Sequence, residues 1–157
     1  MILSALLCIR QFQVTPEAAT AFLWLCVLIE IAWIDHKTMT IPDPCNLLLC
    51  LIGILSVWTM PGLSLSARFL GMAVISIPMI LTDLAVPGGF GGGDIKLMAA
   101  AGLMLGWRRN ITAAVLAVMA GGIYALYLLI TGKAGRKDSF AFGPFLCGGL
   151  AAALLIP

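Results

Sequence analysis

Two aspartates stand where charge is scarce. Asp94 closes the stretch Pro87-Gly88-Gly89-Phe90-Gly91-Gly92-Gly93-Asp94-Ile95-Lys96, which sets five glycines and one carboxylate between two strongly apolar segments. Asp35 stands at the end of an apolar segment further upstream. Two carboxylates held close cannot both ionise cheaply, so they share a proton and their titrations split. The ionised member can take a proton from water while the protonated member polarises a carbonyl. That is peptide hydrolysis with neither metal nor covalent intermediate. Glycine loses the most backbone freedom on folding, and irregular backbone at membrane depth survives only where protein or a water-filled cavity covers it. A glycine-rich break ending in an aspartate is therefore a candidate site.

The surrounding composition says what must position these groups. Of 157 residues, 62% are hydrophobic and 10% charged, whereas a soluble domain carries about 25% charged residues. The mean hydropathy is +1.10. An all-α polytopic membrane protein is expected, as one domain over residues 1–157, without the alternating pattern of an outer-membrane strand. Six spans are expected, over residues 17–34, 45–60, 66–86, 94–107, 111–130 and 140–156. Thr15-Pro16-Glu17 is a helix-start signal. Arg108-Arg109-Asn110 reads as the loop between the fourth and fifth spans, and Gly102 and Gly106 have the GxxxG spacing that admits a close neighbour. Residues 1–13 read as an interfacial start, not a removed signal peptide. The net charge of +2 gives no case for nucleic acid.

The loops after the first and third spans lie on one side, so Asp35 and Asp94 are expected at the same membrane face. Lys37, Lys96, Lys133, Arg136 and Lys137 lie on that side, against Arg10, Arg68, Arg108 and Arg109 on the other. Five against four makes it the cytoplasmic side. Asp94 is expected at a helix N-terminus, where the macrodipole favours an anion, and Asp35 at a helix C-terminus, where it does not. Asp94 is then the base and Asp35 the acid, by a bias of about 0.3–1 kcal/mol.

Gly91-Gly92-Gly93-Asp94 fits the GxGD motif of the polytopic aspartic proteases. Together with Asp35, Ile41-Pro42 and Phe142-Gly143-Pro144-Phe145, in that order, the chain resembles the type IV prepilin peptidases. The resemblance implies a prokaryotic cytoplasmic (inner) membrane enzyme. Its substrate would be a prepilin or pseudopilin, a basic leader followed by a hydrophobic helix, cleaved at the cytoplasmic face. Asp35 and Asp94 would be the catalytic pair, and Gly91, Gly93, Pro42, Gly143 and Pro144 their supports. Longer members carry paired CxxC motifs and also N-methylate the new terminus. The five cysteines here include no CxxC pair, so the chain resembles the short forms found with tight-adherence pili. No zinc or other cofactor is expected, nor methyltransferase activity.

Each residue also has a plainer reading. Asp35 alone could be an interfacial carboxylate and Asp94 a helix cap. Asp43 reads as a turn residue. His36 and Lys37 are expected to face head groups, and Lys96 to point away from Asp94. Lys37 and Lys96 are nonetheless the candidates for substrate or lipid contact. Glu30 and Asp83 should face protein or water, mainly as structural hydrogen-bonding groups. Trp24, Trp33, Trp58 and Trp107 read as an aromatic belt, and the cysteines as small buried hydrophobes. The competing functions are a small transporter with carboxylates at a broken helix and a non-catalytic subunit that grips apolar helices.

Overall fold

The computed structural model describes residues 15–132 and 140–156. The expected interfacial start with Arg10, and the basic residues Lys133, Arg136 and Lys137, lie outside them. Among the described residues the chain is helical, without strands. Helix α1 is Pro16–Thr38, opened by Thr15, whose Oγ1 accepts the Ala18 N–H at 3.4 Å. It ends on Met39 in the left-handed region (φ 53), whose N–H bonds the Asp35 carbonyl at 2.8 Å. The chain therefore leaves α1 sharply, only four residues past Asp35. Pro42, which cannot continue a helix from its N-terminal side, opens α2, Asp43–Thr59. Ser64 caps α3, Leu65–Ala85, and Gly91 opens α4, Gly92–Ile130. Helix α5 is Gly143–Leu155, with Pro144 in its first turn.

Helix α4 is not one rod. Gly106 has φ 72 and ψ 176, outside helical space. The Asn110 side chain donates to the Met98 carbonyl at 3.1 Å. On a straight helix those residues would lie roughly 18 Å apart. The chain doubles back at Gly106, and residues 92–105 and 107–130 lie side by side. The reversal expected at Arg108-Arg109-Asn110 thus falls a few residues earlier. The charged triplet looked like a loop, but only glycine takes that backbone conformation without strain. Close packing follows from the same stretch. A Cβ added at Gly102 would collide with the Gly71 backbone, and one at Gly71 would meet Gly106. The GxxxG spacing therefore seats α3 directly on α4, as small residues do between membrane helices.

Helix α4 packs against α2, α3 and α5, and α1 against α2 and α5. The shared core includes Trp24, Leu28, Ile31, Leu49, Leu97, Met98, Leu150 and Leu154. Trp24 is fully buried, so it belongs to this core and not to an aromatic belt. Trp33 and Trp58 are 62% and 73% exposed, as belt residues would be. Helices α1, α3 and α4 are each long and apolar enough to cross a membrane, while α2 and α5 are shorter apolar helices. Leu84, Ile123 and Ile130 lead a long series of exposed apolar side chains. Surface of that kind suits lipid.

Arg68 was counted as a surface charge on sequence grounds, yet it is fully buried. Its five N–H donors all find acceptors. Nε donates to the Leu63 carbonyl, Nη1 to Ser56 Oγ and the Leu103 carbonyl, and Nη2 to the carbonyls of Ser56 and Met60. Those carbonyls lie at the C-terminal end of α2 and beside the Gly106 break, where helix dipoles place negative charge. Arg68 thus ties three elements together and leaves the positive-inside tally at five against three.

Candidate active site

Asp94 is the third residue of α4, after Gly92 and Gly93. Its carboxylate bonds the backbone of Gly91, the cap residue. That is the reach-back half of a capping box. A Cβ on Gly91 would stand 3.2 Å from Asp94 Oδ2, and one on Gly93 would stand 2.9 Å from the Cβ of Ile41. The two motif glycines therefore do different work. Gly91 leaves space for the carboxylate, and Gly93 lets the Ile41-Pro42 segment lie on the start of α4. Asn46 in α2 adds a bond to the Gly93 carbonyl at 3.4 Å.

Asp35 is buried, and its Oδ2 accepts the Gly143 N–H at 2.9 Å. Gly143 is the first residue of α5, so its amide is one of the unpaired donors that open any helix. A Cβ there would stand 2.6 Å from Asp35 Oδ2, which is why glycine occupies the position. Pro144 follows, where a missing N–H costs nothing.

The two carboxylates lie within electrostatic reach of each other, and both act on Cys147, a buried thiol one turn into α5. Aromatic contacts join their supports. Phe90, beside Gly91, packs on Phe142, beside Gly143, with ring centroids 6.4 Å apart. The ring of Phe142 in turn meets Phe140 and Phe145. The glycine loop is largely exposed. It is anchored by Asp83, whose Oδ1 accepts the N–H groups of Gly88 at 3.1 Å and Phe90 at 3.5 Å. Asp83 is thus a hydrogen-bonding group, as its place in the third span suggested.

Each carboxylate faces a helix N-terminus: Asp94 that of its own helix, Asp35 that of α5. The dipole contrast expected from chain order is therefore offset at Asp35. Order along the chain shows the helix a residue belongs to, not the helix packed against it.

Three further placements bear on the simpler readings. Asp43 is not an idle turn residue, because its Oδ1 lies 2.6 Å from Lys96 Nζ. That ion pair links the start of α2 to the first turn of α4. Both partners are exposed, so it contributes at most about 1 kcal/mol. Lys37 is exposed and lies over the Trp33 ring, 4.3 Å from its centroid. Glu30 is exposed and within electrostatic reach of Cys45. The Asp83 anchor had a local signal, an acceptor a few residues before a glycine turn. Nothing local marked the approach of Cys147 to the aspartates.

The profile of the type IV leader peptidase family matches residues 21–126, which hold both aspartates and the glycine loop. The chain belongs to that family. Curated relatives named prepilin leader peptidase/N-methyltransferase align over most of it. The protein of Bacillus subtilis (strain 168) is 30% identical over 92% of this chain and 58% of its own length. That of Legionella pneumophila is 32% identical over 87% of the chain and 50% of its own. That of Burkholderia pseudomallei (strain K96243) is 33% identical over 87% and 46%. The chain thus spans about half the length of the curated relatives it matches. No solved structure gives a significant match. The match includes Asp35, Pro42, Gly91, Gly93 and Asp94, while Gly143 and Pro144 lie beyond it.

Proposed function

We propose that this chain is an aspartic endopeptidase that removes the leader from type IV prepilins or pseudopilins. The observation that carries the reading is the pairing of Asp35 and Asp94. They come from separate helices, each bonds backbone at a helix start, and they sit within electrostatic reach in a leader peptidase family member. In the proposed reaction the ionised carboxylate takes a proton from water, and the resulting hydroxide attacks the scissile carbonyl. The protonated carboxyl donates its hydrogen to the carbonyl oxygen. Collapse of the tetrahedral intermediate breaks the C–N bond, and a proton returns to the leaving amine. With a helix N-terminus beside each carboxylate, base and acid are assigned to the pair as a unit.

Gly91, Gly93, Pro42, Gly143 and Pro144 are positioning residues in this reading. Lys96 would meet substrate only after leaving Asp43, and Lys37 is the freer candidate for a head group. Residues 92–105 and 107–130 are proposed as separate crossings, which makes six with α1, α2, α3 and α5. The prokaryotic inner membrane and a cytoplasmic position for the dyad complete the proposal. The methyltransferase part of the relatives' name is not carried over.

The test is incubation of the purified protein in detergent with a prepilin, scored by mass spectrometry. Cleavage after the leader supports the reading. Intact substrate from several leaders, with folded protein, refutes it. Activity should follow a bell-shaped pH profile, lost in acid when both carboxyls are protonated and in base when both are ionised.

A further inference from the structure

A cavity lies at the far end of the molecule from the dyad, and the proposed reaction gives it no role. It measures about 830 Å³. Glu17 lies on its wall, and α1 rises roughly 27 Å from there to Asp35, about one hydrocarbon thickness. In the six-crossing arrangement proposed above, the cavity then falls at the head-group level of the leaflet opposite the dyad. Its polar wall holds Arg108 and Arg109, both exposed. Among the described residues neither guanidinium has an ion pair or hydrogen bond. The Arg108 guanidinium lies 5.2 Å from the Trp107 ring centroid, and Trp107 also lines the cavity. Two helical segments start at this wall: α3 at Ser64, and residues 107–130 just past the Gly106 break. Helix starts carry unpaired N–H groups and partial positive charge. The apolar wall is Leu63, Met104, Leu105 and Ile156.

We propose that this cavity seats one anionic phospholipid. Its phosphate would rest on Arg108 and Arg109, its glycerol near Trp107, and its acyl chains along the apolar wall. Guanidinium groups pair with phosphate through two parallel hydrogen bonds, and the two adjacent arginines attract an anionic head group by charge. Among the described lining residues Glu17 is the one carboxylate, against two guanidinium groups. That excess of positive charge favours an acidic head group over a net-neutral one. The apolar wall favours a lipid over a soluble phosphate.

The test is native mass spectrometry of the detergent-purified full chain, given phosphatidylglycerol and phosphatidylcholine in equal amounts. The wild type should retain phosphatidylglycerol preferentially. Arg108→Gln with Arg109→Gln should weaken that retention by about tenfold, and the Lys pair at both positions should keep the preference for the acidic lipid. Equal retention of the two lipids by the wild type would overturn the proposal. So would an unchanged preference in the Gln pair, or full displacement of the lipid by millimolar inorganic phosphate. The readout is independent of peptide cleavage, so failure here leaves the peptidase reading untouched.

Discussion

Gly143 makes the strongest claim of any single residue outside the aspartates, because its missing side chain is what lets Asp35 reach a helix amide. Gly143→Ala should push that carboxylate away and lower kcat by about 10–100-fold, since sub-ångström misplacement costs that much. KM should change little. A drop confined to KM would show that Gly143 serves substrate binding instead. Met39 offers a test of opposite sign. It occupies left-handed backbone (φ 53) that costs a non-glycine residue roughly 1 kcal/mol. Met39→Gly should raise the thermal midpoint in detergent. An unchanged or lower midpoint would mean that the Met39 side chain offsets the strain. At this scale the sequence proposes site residues by type and order, but it does not show their partners. Asp35, Asp94, Gly91, Gly93, Gly143 and Pro144 stand out by type and order. The amide that Asp35 accepts lies 108 residues away, and no local pattern reports such a contact. The Asp43–Lys96 pair was hidden for the same reason.

At the scale of elements, hydropathy located every described helix to within a few residues, but it misjudged how they join. Arg108-Arg109-Asn110 looked like the loop because charge normally marks one, yet the reversal belongs to Gly106. Asn110 is instead buried and bonded to the carbonyls of Gly71 and Met98. Arg68 misled in the opposite sense, since a charge in an apolar protein suggested the head-group region. Its acceptors are carbonyls at helix ends, which become neighbours only after the fold forms. Arg68→Leu should therefore cost about 2–4 kcal/mol, by stranding several buried acceptors. Arg68→Lys, with three donors for five bonds, should recover only part. Thermal unfolding in detergent measures both, and a loss below about 0.5 kcal/mol for the leucine variant, the size of an ordinary surface change, would show that water replaces the guanidinium.

For the whole molecule, the composition identified a membrane protein directly, because so few charges cannot cover a soluble surface. The number of crossings depends on the reversal at Gly106, which returns the end of α4 to the side of the glycine loop. Single cysteines at Gly88 and Gly132, in a chain freed of its own cysteines, should react with a membrane-impermeant thiol reagent from the same side of sealed vesicles. Labelling of the two from opposite sides would refute the six-crossing arrangement. Family membership and the supports of the two aspartates then converge on one central claim, that Asp35 and Asp94 act as a single catalytic unit. The direct measurement is prepilin cleavage by Asp35→Asn, Asp94→Asn and the double variant, each shown to be folded. A shared site predicts that either single change lowers kcat by about a thousandfold or more, and that the double variant is scarcely worse. A single variant that cleaves near the wild-type rate, or losses that multiply in the double variant, would contradict it.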